Sequence, residues 1–175
     1  MERTDTINDD KIADMLLGCL NEQATLKDIH NIPDDMMNSL YAYAYQFYQQ
    51  GKLDNAETFF QFLCMYDFYN TDYFMGLAAV YQLKKQYQKA ADLYAVVFAM
   101  NGNDYRSVFH AGQCQLMMKE MLKARRCFEL VCEQSHDVEL VQRAEAYTIN
   151  MKPCSEDAMN VKSDTFKTQP EKCNE

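Results

Sequence analysis

The sequence predicts an all-α solenoid of stacked helix pairs, and three observations lead there. Five glycines and three prolines in 175 residues are under half of ordinary usage, roughly 12%. Few turns therefore need a left-handed or fixed φ, which disfavours a sandwich or barrel. Ala56, Ala90 and Ala124 recur at one equal interval. In that frame Leu40, Phe74 and Val108 coincide, as do Tyr43, Leu77 and Ala111, then Ala44, Ala78 and Gly112. Phe47, Tyr81 and Gln115 form a further set, and so do Phe60, Tyr94 and Phe128.

The interval and its large, small and aromatic slots are those of the tetratricopeptide pattern, L-G-x-x-Y and then A-x-x-x-F, without Trp at its first position. Each repeat is two antiparallel helices whose small residues let the backbones approach while the aromatic slots fill the space between neighbours. Gln115 breaks the aromatic slot of the third repeat.

Taken in order, residues 8–24 set Ile12, Met15, Leu16, Cys19 and Leu20 at helical spacing behind Asn8 as a cap, with Asp9 and Asp10 in the first turn. This predicts a short amphipathic helix. Thr25-x-x-Asp28 predicts a capping box for a further turn, and Pro33-Asp34-Asp35 an N1-to-N3 helix opening. The repeats predict helix pairs at 36–50 with 53–66, 71–84 with 87–100, and 105–118 with 121–134. A seventh helix over 137–151, with Leu140, Val141, Ala144, Tyr147 and Met151 on one face, caps the stack. From Pro153 to Glu175 no periodicity remains and a disordered tail is expected. The chain thus divides into an N-terminal helical segment (1–35), three repeats with a capping helix (36–152) and a tail (153–175). The apolar stripe Met15, Leu16, Cys19 and Leu20 predicts a homodimer contact, with folding back onto the first repeat as the alternative.

Charge and composition exclude several functions. A net charge of −9 opposes nucleic-acid binding and a polybasic membrane patch. No apolar run approaches the roughly 20 residues of a membrane span, and the N-terminus has no signal layout, which predicts a cytoplasmic protein. Seven cysteines without C-x-x-C spacing predict neither a disulfide framework nor a zinc site. His30, His110 and His136 fall in three separate elements, so no catalytic constellation, metal or cofactor is expected.

Eleven of the twelve tyrosines lie between positions 41 and 105, and twelve methionines accompany them. Inner-helix residues between the packing slots form a concave wall: Asn38, Tyr41, Tyr45 and Tyr48 in the first repeat, Asp72, Met75, Ala79 and Gln82 in the second, Arg106, Phe109, Gln113 and Leu116 in the third. Tyrosine and methionine suit an extended apolar peptide. A clamp for a terminal carboxylate is disfavoured, because Arg106 is the wall's only base and Asp72 opposes it. The bland alternative is that the tyrosines stack along the solenoid of a generic repeat scaffold.

The segment from Ala24 to Val96, with its IPDDMM run (Ile32–Met37) and DFYN-x-DY joint (Asp67–Tyr73), closely resembles the class II type III secretion chaperones, the translocator chaperones. The resemblance spans roughly residues 9–150, and neither motif is required by a packing slot. It implies a bacterial cytoplasmic chaperone that holds hydrophobic translocator proteins soluble and apart before secretion. It further implies that a short client segment with spaced Pro and Leu anchors lies in the concave groove, that homodimers form through the N-terminal helices, and that some members partner an AraC-type transcription activator. The family's aromatic groove positions match Tyr41, Tyr45 and Tyr48, whereas Phe109, Gln113 and Leu116 follow from repeat register.

Overall fold

The computed structural model describes residues 25–151. The predicted helix over 8–24, its dimer stripe and the tail from Pro153 lie outside the described residues. Among the described residues there are eight helices and no strand. They are α1 (Leu26–Ile29), α2 (Asp34–Gln49), α3 (Leu53–Tyr66), α4 (Thr71–Leu83), α5 (Tyr87–Met100), α6 (Tyr105–Met117), α7 (Met121–Gln134) and α8 (Val138–Asn150). Each of α2 to α8 packs chiefly on its neighbour in sequence, giving three helix pairs and a closing helix.

Local chemistry sets the boundaries. The capping box at α1 is present: the Thr25 N–H donates to Asp28 Oδ2 (2.8 Å), and Asp28 N–H donates back to Thr25 Oγ1 (3.4 Å). Lys27 then ties α1 to Asp34 (2.9 Å) and Asp67 (3.7 Å). Pro33, expected at N1, is instead the N-cap: its extended ψ of 147° leaves it outside the helix, which opens at Asp34. Inner helices α4, α6 and the closing α8 begin with Asn70, Asp104 and Asp137 side chains accepting from first-turn N–H groups (3.0–3.2 Å).

Every inner helix ends alike. Gly51, Lys85 and Lys119, each one repeat from the next, adopt φ of +72°, +61° and +65°. Their N–H groups donate to Tyr48, Gln82 and Leu116 carbonyls, and the next residues' N–H groups reach Phe47, Tyr81 and Gln115 carbonyls at 2.9 Å. This is the Schellman closure, made in all three repeats.

The small slots pack as the register requires. Ala44, Ala56, Ala78, Ala90 and Ala124 are fully buried, as are the aromatic slots Phe60, Tyr94 and Phe128. Gly76 serves close approach: a Cβ there would lie 2.2 Å from the Phe60 ring. Two slots depart. Ala111 stays half-exposed, and Tyr43, read as a packing residue, is 55% exposed because no earlier helix pair stacks on α2 among the described residues. The buried residues form two clusters, one running from α2 to α6 and one joining α6, α7 and α8.

Candidate functional site

A concavity of about 400 Å³ opens on the inner helices. Successive turns of α2 supply Tyr41, Tyr45 and Tyr48, α4 supplies Asp72, Met75, Gly76 and Ala79, α6 supplies Arg106 and His110, and Phe60 of α3 forms the floor. Spacing of i, i+4 and i+7 aligns the tyrosines on one helix face. They are not equivalent. Tyr41 leans on Tyr73 (centroids 5.5 Å) and edge-on against Phe60 (6.0 Å), whereas Tyr45 is 49% exposed and stacks only on Tyr48 (6.1 Å, planes at 23°). Burial, and then the negative charge of Asp72, hold the Tyr41 phenol above its ordinary pKa.

Of the residues expected on the wall, Tyr41, Tyr45, Tyr48, Asp72, Met75, Ala79 and Arg106 meet in this one concavity. The others do not line it. Asn38 is exposed and lies outside it. Gln82 and Gln113 stand next to it in a polar chain: Tyr94 Oη donates to Gln82 Oε1 (2.9 Å), Gln82 Nε2 to Gln113 Oε1 (3.5 Å), and Gln113 Nε2 to Tyr147 Oη (3.0 Å). Leu116 is half-buried against the second core cluster. Phe109 is a correction. It is wholly buried, with Phe128 (5.6 Å) and Tyr147 (5.7 Å) edge-on to it and the Arg143 guanidinium 4.7 Å from its centroid. Helix α8 covers the third inner helix at this point, so Phe109 belongs to the core and not to the wall.

Sequence reasoning missed Phe60 as the floor, and it missed Gly76 and His110 altogether. Gly76 and His110 are one repeat apart and follow Met75 and Phe109, the positions that the repeat frame alone assigns to the wall. The His110 ring lies against Tyr94 (5.4 Å, planes at 24°) with Nδ1 3.0 Å from Gln113 Oε1. Burial lowers its pKa below the ordinary histidine value. At the rim Arg106 donates through Nε and Nη2 to Asp104 (both 2.9 Å), and this pairing holds the Asp104 carboxyl below the usual carboxylate range.

A second opening of about 540 Å³ lies beyond Arg106, between the α5–α6 and α7–α8 loops, lined mostly by cap residues and amides such as Asn101, Asp104, Gln134 and Asp137. It lacks the aromatic wall that an apolar segment needs. Among the described residues no group of three or more His, Cys, Asp and Glu converges on a possible ion position, and no helix is long and apolar enough to cross a membrane. The Cys114 thiol, pushed up to about 11 by burial, is a protonated packing group.

A family model described as Tetratricopeptide repeat matches residues 37–70 and 71–104. The chain is 58% identical over 147 residues to the chaperone protein SicA of Salmonella typhimurium, covering 84% of this chain and 89% of SicA. Among solved structures it is similar to the type III secretion chaperone SycD of Yersinia enterocolitica in complex with a peptide of the translocator YopD (32% identity, 69% of this chain and 95% of that one, TM-score 0.65). It is similar also to PcrH in complex with the chaperone binding region of PopD (34% identity, 67% and 92%, TM-score 0.62). SycD has a further structure described as an alternative dimer.

Proposed function

The chain belongs to the translocator chaperones of type III secretion, and from that membership we propose that its aromatic concavity is where an extended segment of a hydrophobic translocator docks. The observation that carries this reading is the meeting of Tyr41, Tyr45 and Tyr48 with Met75, Ala79 and Phe60 around one open space. SycD and PcrH, its structural relatives, are solved with translocator segments bound. No chemical step is needed. A preformed wall of stiff aromatic side chains reduces the ordering cost that the client meets on docking, and the net charge of −9 keeps the complex dispersed.

The proposal includes a cytoplasmic working place, where the client is held before export, and a homodimer through Met15, Leu16, Cys19 and Leu20. Sedimentation of a Leu16→Glu/Leu20→Glu variant tests the dimer, and an unchanged mass removes it. An AraC-type activator as a further partner rests on the family resemblance and is tested by co-purification of the two proteins.

The groove itself is tested at Tyr45, whose contacts leave it half-exposed. Tyr45→Ala is expected to weaken binding of a translocator segment by about 1–3 kcal/mol, the range of an interface aromatic, with little change in thermal unfolding. Titration calorimetry and a melting curve on the same preparations decide it. Normal binding, or unfolding as severe as that of the overpacked Ala90→Leu variant, returns these tyrosines to a scaffold role.

A further inference from the structure

The polar chain beside the concavity fixes more than its own geometry. Tyr94 Oη donates to Gln82 Oε1, which turns the Gln82 amide so that Nε2 points to Gln113 Oε1. Gln113 Nε2 is occupied by Tyr147 Oη. The Gln113 oxygen is the atom that His110 Nδ1 meets at 3.0 Å, and with an oxygen acceptor there Nδ1 carries the proton. In the neutral imidazole Nε2 is then left with a lone pair and no hydrogen. Among the described residues Nε2 has no hydrogen-bond partner, while the ring lines the concavity.

We propose that His110 Nε2 is the polar anchor of the groove, an acceptor for one main-chain N–H of the extended client segment. The inference rests on the groove reading and adds what sets the client's register. Phe60, Met75, Gly76 and Ala79, which line the concavity with His110, have side chains that offer no acceptor, and the hydroxyls of Tyr41, Tyr45 and Tyr48 donate as readily as they accept. Arg106 donates and cannot accept, and the Asp72 carboxylate is exposed at the rim. A peptide N–H carried into such a space is costly unless it is paired. One fixed acceptor pairs one N–H and thereby selects which side chains of an extended chain, alternating from face to face, turn toward the tyrosines.

The same atom makes binding sensitive to acid. Protonation replaces the Nε2 lone pair with a donor, which opposes a peptide N–H. The charged groups around His110 are Asp104 and Arg106 on its own side of the stack, Arg143 on α8 and Asp72 on α4; Tyr94 of α5, Tyr147 of α8 and the α2 tyrosines complete its titratable surroundings. Burial is the largest influence and favours the neutral ring, with the Gln113 hydrogen bond opposing it.

The test uses the full chain and overlapping synthetic peptides covering the translocator that co-purifies with it. The tightest peptide is resynthesised with one main-chain N-methyl group at a time. One position is expected to weaken binding to the wild-type chain by roughly 5- to 30-fold, the scale of a buried acceptor that loses its donor. The same N-methyl group is expected to cost His110→Phe less than about twofold, because the acceptor is already gone. A measurement without any variant runs beside it: the wild-type chain keeps its sensitivity to that N-methyl group through the ordinary histidine range and loses it only in stronger acid, because burial lowers the His110 pKa. If no N-methyl position couples to His110, the anchor is overturned. Tyr45→Ala separates the two readings. Normal binding by that variant sinks the groove, whereas weakened binding without His110 coupling sinks the anchor alone.

Discussion

Met75 and Phe109 occupy the same place on consecutive inner helices, one repeat apart, and meet opposite surroundings. Met75 is half-buried on the open concavity. Phe109 is enclosed by Phe128, Tyr147 and the Arg143 guanidinium. The difference does not come from their own helices. It comes from α8, which returns over α6 and fills the space that stays open in the first two repeats. A repeat register assigns the phase of each residue around its helix, and the neighbouring element then decides whether that phase is wall or core. The open part of the wall accordingly belongs to α2 and α4, while α6 contributes the polar end through Arg106 and His110.

The largest effect that sharpens this comparison is at Phe109. Phe109→Ala removes a fully buried ring and is expected to cost about 3–5 kcal/mol in urea denaturation. Met75→Ala, at the equivalent position, is expected to cost less than about 1.5 kcal/mol of stability while weakening client binding. Equal stability losses at the two sites would break the distinction between wall and core.

A smaller effect concerns the aromatic slot shared by Phe47, Tyr81 and Gln115. Tyr81 buries its ring and accepts a hydrogen bond from Gln61 Nε2 at 3.0 Å. Gln115 leaves Oε1 buried with no hydrogen-bond partner among the described residues. Gln115→Met keeps the length of the side chain and removes the unpaired oxygen, so stability is expected to rise by about 1 kcal/mol. The urea midpoint should move up at unchanged slope. A lower midpoint would mean that the third repeat uses that amide in a way the first two do not.

Most of the fold was legible because the repeat frame ties each helix to two others. The predicted spans 53–66, 87–100 and 121–134 coincide with α3, α5 and α7, and the inner helices begin and end close to expectation. The tyrosines of α2 were legible as wall for the same reason. What the frame did not carry is what lies across from a residue. The frame alone places Phe109 on the wall, because periodicity shows α8 only as a cap on the open end. In the sequence His110 is a lone histidine, because the ring it stacks on, Tyr94, lies on another helix. Pairings between helices depend on side-chain reach across the stack, and periodicity along one helix is silent about them.

The smallest expected effect tests whether the three repeats close their inner helices by backbone geometry alone. Gly51, Lys85 and Lys119 hold the same left-handed φ, but only Gly51 is free of a Cβ penalty, which is about 1–2 kcal/mol for an L-residue. A Cβ built at Gly51 meets nothing within 4 Å, so a side chain there is opposed by φ and not by crowding. Glycine also gains freedom in the unfolded chain, which returns roughly 0.5–1 kcal/mol of the advantage. Lys119→Gly is therefore expected to stabilise by about 0.5 kcal/mol and Gly51→Lys to destabilise by a similar amount, a shift of about 1–4 °C in opposite directions. If both substitutions moved the melting temperature the same way, side-chain contacts rather than φ would govern these turns, and the first repeat would differ from the others in more than the glycine it carries.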